Sequence, residues 1–275
     1  MDKLSIEGGV VNYNDLSDMS PIFEGREWLA NWAMRALSID KVNDLHSRNC
    51  DVTGVAFVER LLTDLDITLK VVNESRLDKL PSSGRFVTVS NHPFGALDGI
   101  ILIKLLGERF PEFKVMVNMV LNYIRAMRGN FIAVDPFSSD ISEKRMVTMR
   151  GIRGVISNLR EGNPVGFFPS GAVSKLHPNL RVEDRVWQPS IIRLIQQLDV
   201  PVVPIHFYGG NSIWFNLLGV VHWRLRSLLL PSEVFNKRGT QVQVAIGEPI
   251  TVKQMRCYTS IEELGDFLRN RTYST

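Results

Sequence analysis

Cysteine is almost missing from this sequence: Cys50 and Cys257 are the two in 275 residues. Two lone, distant thiols build neither a disulfide framework nor a thiolate metal cluster, and a reducing compartment suits them. Histidine is scarce too, with five in the chain. His46, His177, His206 and His222 show no metal-ligand spacing and no carboxylate partner close in sequence. They read as surface or structurally satisfied rings, and no metal site is expected. No apolar run reaches about 18 residues, so no membrane-spanning helix is expected. Residues 1–14 are polar and acidic, with neither a basic lead nor an apolar core, so no secretory leader is expected either. Internal repeats and low-complexity tracts are missing as well. The net charge is only +3, with a pI near 8.9. That is too little to argue for nucleic acid, yet it is compatible with an anionic membrane surface or an acidic protein partner.

What is present is the composition of a folded protein, 44% hydrophobic and 22% charged, enough for one large core. Residues 1–22 read as a loose leader. Phe23, Trp28, Leu29, Trp32, Ala33, Ala36 and Leu37 then recur at helical spacing. One of Trp28 and Trp32 is assigned to the core; the other is left between core and a lipid headgroup boundary. A short helix from Asp40 or Asn43 and another carrying Val55 to Leu62 complete a helical segment over 1–65. From 66 onward strands alternate with helices. The strands are Ile67–Val72, Val87–Ser90, Phe113–Val117, Phe131–Val134, Val165–Phe168, Val200–Phe207 (interrupted by Pro201 and Pro204) and Gln241–Ile246. Helices are expected over 100–106, 118–127, 147–159, 189–198 and 261–268, with a capping pair at Asp140 and Glu143. Lys175–Asp184 reads as a polar, basic loop. The fold class is therefore α/β: a mixed, mostly parallel sheet flanked by helices, preceded by the helical segment.

The stretch from Val87 to Gly99 organises the rest. Val87–Ser90 alternates as a strand and runs straight into Asn91 and His92, where Pro93 and Gly95 stop regular structure. Asp98 opens the next helix. Ligands bind at this edge of open α/β sheets. A neutral imidazole there can take a proton from a hydroxyl, and a carboxylate can hold its other nitrogen and stabilise the imidazolium. The same residues also read as a loop histidine and an ordinary N-cap aspartate. Two further strand ends carry turn chemistry, at 135–137 and 169–174, and a parallel sheet would bring them to the same edge. Ser170 lacks the Gly-x-Ser-x-Gly setting of a nucleophile, so a backbone or hydroxyl contact with a ligand suits it better. Asp135 reads equally as functional or as a turn starter. Trp214, Leu217, Leu218, Val221, Leu225 and Leu228 form one helical stripe beside Arg224 and Arg226. That stripe reads as an interfacial membrane contact or as a packed helix. Lys104, Arg109, Lys114, Arg125 and Arg128 form a second basic region, either a docking patch for an acidic protein or a solvated face.

Asn91-His92 followed by Asp98, Phe131-Ile-Ala-Val-Asp-Pro136, Phe168-Pro-Ser-Gly171 and Val200-Pro-Val-Val-Pro-Ile205 occur in this order. Together they resemble the four motif blocks of the glycerolipid (lysophospholipid) acyltransferase family, over about residues 60–250. Asn91 to Gly99, Val134-Asp-Pro-Phe137, Gly209-Gly-Asn-Ser212 and Leu225 to Pro231 are similar to its hemolysin-like branch. That branch includes O-acyltransferases of bacterial aminolipids such as ornithine and glycine lipids.

The resemblance implies an α/β acyltransferase domain over 66–275. It implies transfer of an acyl group from a thioester, on acyl carrier protein or coenzyme A, to the hydroxyl of a lysolipid in membrane lipid biosynthesis. His92 would be the base and Asp98 its orienting acid. Asn91, Pro93, Phe94, Gly95, Asp135, Phe168, Pro169, Ser170 and Gly171 would contact substrate. No metal or other cofactor is implied, and the protein would sit peripherally on the cytoplasmic face of the membrane. Acylation of 1-acylglycerol 3-phosphate and an inactive lipid- or carrier-binding protein of the same fold are the alternatives; a thioesterase is a weaker one. Two departures from the pattern matter. Five residues rather than the usual four separate His92 from Asp98, a difference Gly95 can absorb through positive φ. Ser170 replaces the usual glutamate and no arginine follows it, which predicts an acceptor without a phosphate at that position, such as an N-acylated amino acid.

Overall fold

The structure, a computed structural model, describes residues 9–134, 141–221 and 223–275. The helical segment contains α1 (Tyr13–Met19), α2 (Glu27–Ala36), α3 (Ile39–Asn49) and α4 (Gly54–Asp64). Part of the expected loose leader is thus helical. Asn12 and Asp15 explain it, because each side chain accepts the other's backbone N–H in a reciprocal cap. Trp28 and Trp32 are both exposed, so neither is core; α2 buries Ala30 instead.

The sheet part follows in order: β1 (Thr68–Val72), β2 (Val87–Ser90), α5 (Ala96–Gly107), β3 (Lys114–Asn118), β4 (Phe131–Val134), α6 (Ile141–Arg160), β5 (Val165–Phe167) and a small hairpin of β6 (Lys175–Leu176) and β7 (Val182–Glu183). Then come α7 (Pro189–Leu198), β8 (Val202–Phe207), α8 (Ile213–Val221), α9 (Trp223–Leu228), α10 (Leu230–Phe235), β9 (Gln241–Ile246), α11 (Val252–Met255) and α12 (Ile261–Tyr273). The hairpin occupies the stretch read as a loop. Residues 119–130 form two 3-10 turns rather than one helix, because Asn118 caps Val120 and Ile124 leaves helical geometry. The apolar stretch after 212 is three helices, not one stripe: Leu217 is exposed while Leu218 is half-buried.

Seven strands form the main sheet, in the order β1-β9-β8-β2-β5-β3-β4. Every pairing is parallel except β8 with β9, so the sheet is mixed and mostly parallel. β2, β5 and β8 are buried at every position, as strands covered on both faces must be. Pro204 does not interrupt β8. Its carbonyl accepts the Gly247 N–H at 2.8 Å, between the Val202–Ile250 bridge and the ladder that starts at Ile205, so the strand continues through it.

One core lies under α4 and α5, with Phe57, Leu61, Leu97, Ile101 and Leu102 among its members. The other lies under α6, α7 and α12, with Val155, Ile195 and Leu268. Because β2, β5 and β8 run parallel, their carboxyl ends deliver three chain segments to one edge: 91–98, 168–174 and 208–211.

Candidate active site

The edge is built first by Asn91. Its amide mimics a backbone unit, donating to the Phe207 carbonyl at 2.8 Å and accepting the Phe207 N–H at 2.7 Å. This fastens the end of β2 to the end of β8. The Asn91 side chain is therefore committed to the scaffold rather than presented to a ligand.

Next, Gly95 takes φ +83°, where a β-carbon would also meet Leu230 at 3.0 Å. That backbone conformation absorbs the extra residue between His92 and Asp98. Asp98 lies in the first turn of α5, fully buried, and its Oδ2 accepts the N–H groups of Phe94 and Gly95 at 2.9 and 3.0 Å. A carboxylate here stabilises the helix N-terminus. The same Oδ2 lies 2.9 Å from His92 Nδ1. That contact is bent away from ideal hydrogen-bond geometry, and Oδ1 has no partner among the described residues. Burial pushes the Asp98 carboxyl up, against the opposing pull of His92 and the two N–H groups.

His92 keeps 18% of its side chain exposed. With Nδ1 turned inward to Asp98, Nε2 is the nitrogen available from outside. Phe168 stacks on the imidazole with centroids 4.2 Å apart. Phe94 is buried, with the Lys237 ammonium 4.9 Å above its ring.

Of the other sequence candidates, Pro93 and Pro169 are buried, and Pro169 accepts the Gln188 N–H. The Ser170 hydroxyl donates to the Ala172 carbonyl at 2.8 Å, turned into its own loop. Gly171 closes that turn at φ +64°. Asp135 lies outside the described residues, as do the Asp140 cap and His222. His206 is not a satisfied ring: it is buried with Nδ1 lacking a described partner, and burial lowers it to about 4. In the second basic region, Lys104 pairs with Glu59 and Glu108, and Arg109 with Asp78.

Sequence reading missed a second carboxylate. Asp184, within the segment read as a loop, is buried and its Oδ1 accepts the His92 backbone N–H at 3.0 Å and the Ser174 hydroxyl at 2.6 Å. Its Oδ2 accepts the Trp187 indole N–H at 3.0 Å. Ser174 in turn donates its own N–H to the His92 carbonyl at 2.8 Å. Buried Arg226 grips the carbonyls of Val173 and Ser174, each at 3.0 Å. Apart from Trp187, three positions from Asp184, these pairs join residues from 10 to 92 positions apart, and no local pattern announces them.

Comparison with known proteins bears on the fold and the family. A family model described as "Acyltransferase" matches residues 25–275. The chain is 26% identical to the lyso-glycine lipid O-acyltransferase of Bacteroides thetaiotaomicron over 231 residues, 82% of this chain and 81% of the relative. It is 25% identical to the lyso-glycine lipid O-acyltransferase of Phocaeicola vulgatus, over 77% of this chain and 74% of that one. The fold is similar to that of the 1-acyl-sn-glycerophosphate (LPA) acyltransferase PlsC from Thermotoga maritima. There the TM-score is 0.51 at 17% identity, covering 90% of this chain and 87% of that structure. With one model running from the helical segment to the last residue, across both the sheet and the His92 edge, this chain belongs to the acyltransferase family.

Proposed function

We propose that this enzyme moves a fatty acyl group from a thioester, on acyl carrier protein or coenzyme A, to the hydroxyl of a monoacyl aminolipid. The observation that carries the mechanism is the contact of His92 Nδ1 with Asp98 at 2.9 Å, which leaves Nε2 toward the outside. Nε2 takes the proton of the acceptor hydroxyl as its oxygen bonds to the thioester carbonyl carbon. Asp98 holds Nδ1–H and stabilises the imidazolium that forms. The tetrahedral adduct then collapses, the carbon–sulfur bond breaks, and the imidazolium returns its proton to the leaving thiolate. The products are an ester and a free thiol. No metal or prosthetic group is needed for any step.

The 168–172 loop supports this acceptor class. Ser170 stands where the family commonly has glutamate, and its hydroxyl is tied to Ala172. Residues 168–172 supply no cation for a phosphate dianion. The two relatives named for lyso-glycine lipid support the same reading. The lipid acceptor suggests work at the cytoplasmic membrane surface; no helix among the described residues is long and apolar enough to cross a bilayer. The deciding assay offers the purified enzyme an N-(3-hydroxyacyl) amino acid and lysophosphatidic acid, each with the same acyl thioester. Preference for the aminolipid is expected; preference for lysophosphatidic acid overturns the assignment.

A further inference from the structure

α8 is apolar on the wrong side for a helix that faces only water. Phe215 and Asn216 are buried against the body of the protein. Yet the opposite face carries Ile213, Trp214, Leu217 and Val220 and no polar group, with Ile213 and Trp214 at 76% and 78% exposure. Those four positions form a single helical stripe. A helix whose outer face is apolar belongs under cover, and contiguous exposed apolar surface marks an interaction site.

The stripe has a neighbour of the same character. α8 packs on β6, and Val182 of β7 lies against Gly210, just before α8. The hairpin exposes Leu180 at 81% at its tip and, just beyond β7, Val186 at 83%. Lys175 and Arg181 are exposed beside them. The acids between 174 and 186 and between 209 and 235 are Glu183, Asp184 and Glu233. Each is committed: Glu183 to Arg269, Asp184 to His92 and Trp187, and Glu233 to Ser212. The patch is therefore apolar at its centre and cationic at its edge, with no free acid among these three.

We propose that the α8 stripe and the β6–β7 hairpin form a docking platform for an anionic lipid surface, through which the acceptor reaches His92. The proposal rests on the lipid-acceptor reading given above. The charge pattern selects lipid over a second copy of the chain, since a cationic rim repels its own kind but is drawn to anionic headgroups. Trp214 suits the headgroup boundary, and the aliphatic residues suit the acyl region beneath it. The platform is joined to the reacting ring by two short links. Arg226 ties the carbonyls of Val173 and Ser174 to the underside of α8, with its guanidinium 5.0 Å from the Phe215 ring centroid. Ser174 and Asp184, at either end of the hairpin, both bond the His92 backbone.

The test is binding of the full chain to phosphatidylcholine–phosphatidylglycerol vesicles and to pure phosphatidylcholine vesicles. The variants are Ile213→Asp/Leu217→Asp and Lys175→Glu/Arg181→Glu. The first pair should weaken binding to both vesicles by at least about tenfold. The second should weaken binding to the anionic vesicles only. Both should keep the wild-type melting temperature and wild-type turnover of a short-chain, water-soluble hydroxy acceptor. Brominated lipids should quench Trp214 fluorescence, and Trp214→Phe should remove most of that quenching. Unchanged vesicle binding in the first pair overturns the proposal. So does quenching that persists in Trp214→Phe and vanishes in Trp28→Phe/Trp32→Phe, or a wild-type dimer that the first pair makes monomeric. Absence of turnover on the soluble acceptor in the wild type overturns the enzymatic reading instead, and vesicle binding reads the platform independently of it.

Discussion

The turn from Asn91 to Asp98 and the strap from Phe168 to Trp187 hold the same histidine, but by different parts and over different distances in sequence. The turn reaches the ring: Asp98 contacts Nδ1 within one strand-to-helix connection. The strap reaches the backbone: Asp184, 92 positions away, holds the N–H, and Ser174 holds the carbonyl. Phe168 of the strap meets the ring itself, by stacking. The turn governs the state of the imidazole, and the strap governs where it sits. Losses in the turn should therefore appear in turnover, and losses in the strap in stability.

The largest effect on activity belongs to the ring itself. His92→Ala should reduce kcat/KM about 10³-fold while leaving the melting temperature near that of the wild type. Full activity in this variant would remove the base from the mechanism.

Asp98→Asn should lower kcat about 10²-fold with little loss of stability, because an amide oxygen can still accept the Phe94 and Gly95 N–H groups. The pH profile sharpens this. Burial raises the Asp98 pKa, and the ionised form is the one that supports His92. Activity should thus fall with decreasing pH sooner than an ordinary carboxylate would dictate. A rate profile whose acid limb lies at or below the usual carboxylate range contradicts that assignment.

Asp184→Ala should show the reverse pattern. It strands the His92 N–H, the Ser174 hydroxyl and the Trp187 indole, so stability should drop by about 3 kcal/mol. Turnover of the folded fraction should fall only about tenfold. Urea denaturation alongside kcat measures both, and a turnover loss as deep as that of Asp98→Asn would erase the distinction between the two regions.

A smaller effect concerns His206, whose ring packs against Tyr208 and Tyr273, the latter accepting the Asp184 N–H. Below about pH 6.5 the unfolded chain protonates this histidine, while the native ring stays neutral down to about 4. The unfolded state then binds more protons, so stability should decline by about 2 kcal/mol across that window as pH falls. His206→Phe should flatten the decline in thermal melts between pH 7 and 4. A further effect, about 1–3 kcal/mol, is expected for Gly95→Ala, because φ +83° with ψ −127° is a conformation that residues with a side chain rarely adopt; the close approach to Leu230 adds to it if that side chain cannot move.

Strands and the α/β class were legible because buried parallel strands such as Val165–Phe167 are short apolar runs between turn residues. His92 and Asp98 were legible because they share one turn. Trp28 and Trp32 both lie exposed although the spacing assigns one of them to the core, because apolar spacing identifies a helix face without saying whether anything covers it. The stretch after 212 differs for a related reason: a single period spans what fold as three helices, so the exposed line runs through Ile213 and Val220 instead.

The sequence by itself determined the order of the seven main-sheet strands, the family motifs and the pairing of an imidazole with a nearby acid, since each depends on residues close along the chain. Tertiary structure alone decided that Asn91 fastens two strands, that Asp184 and Ser174 clamp the His92 backbone, and that one face of α8 stays bare. Those outcomes depend on which distant groups meet at the sheet edge and lose their water. A hydrogen bond between partners 92 positions apart has no signature in either neighbourhood.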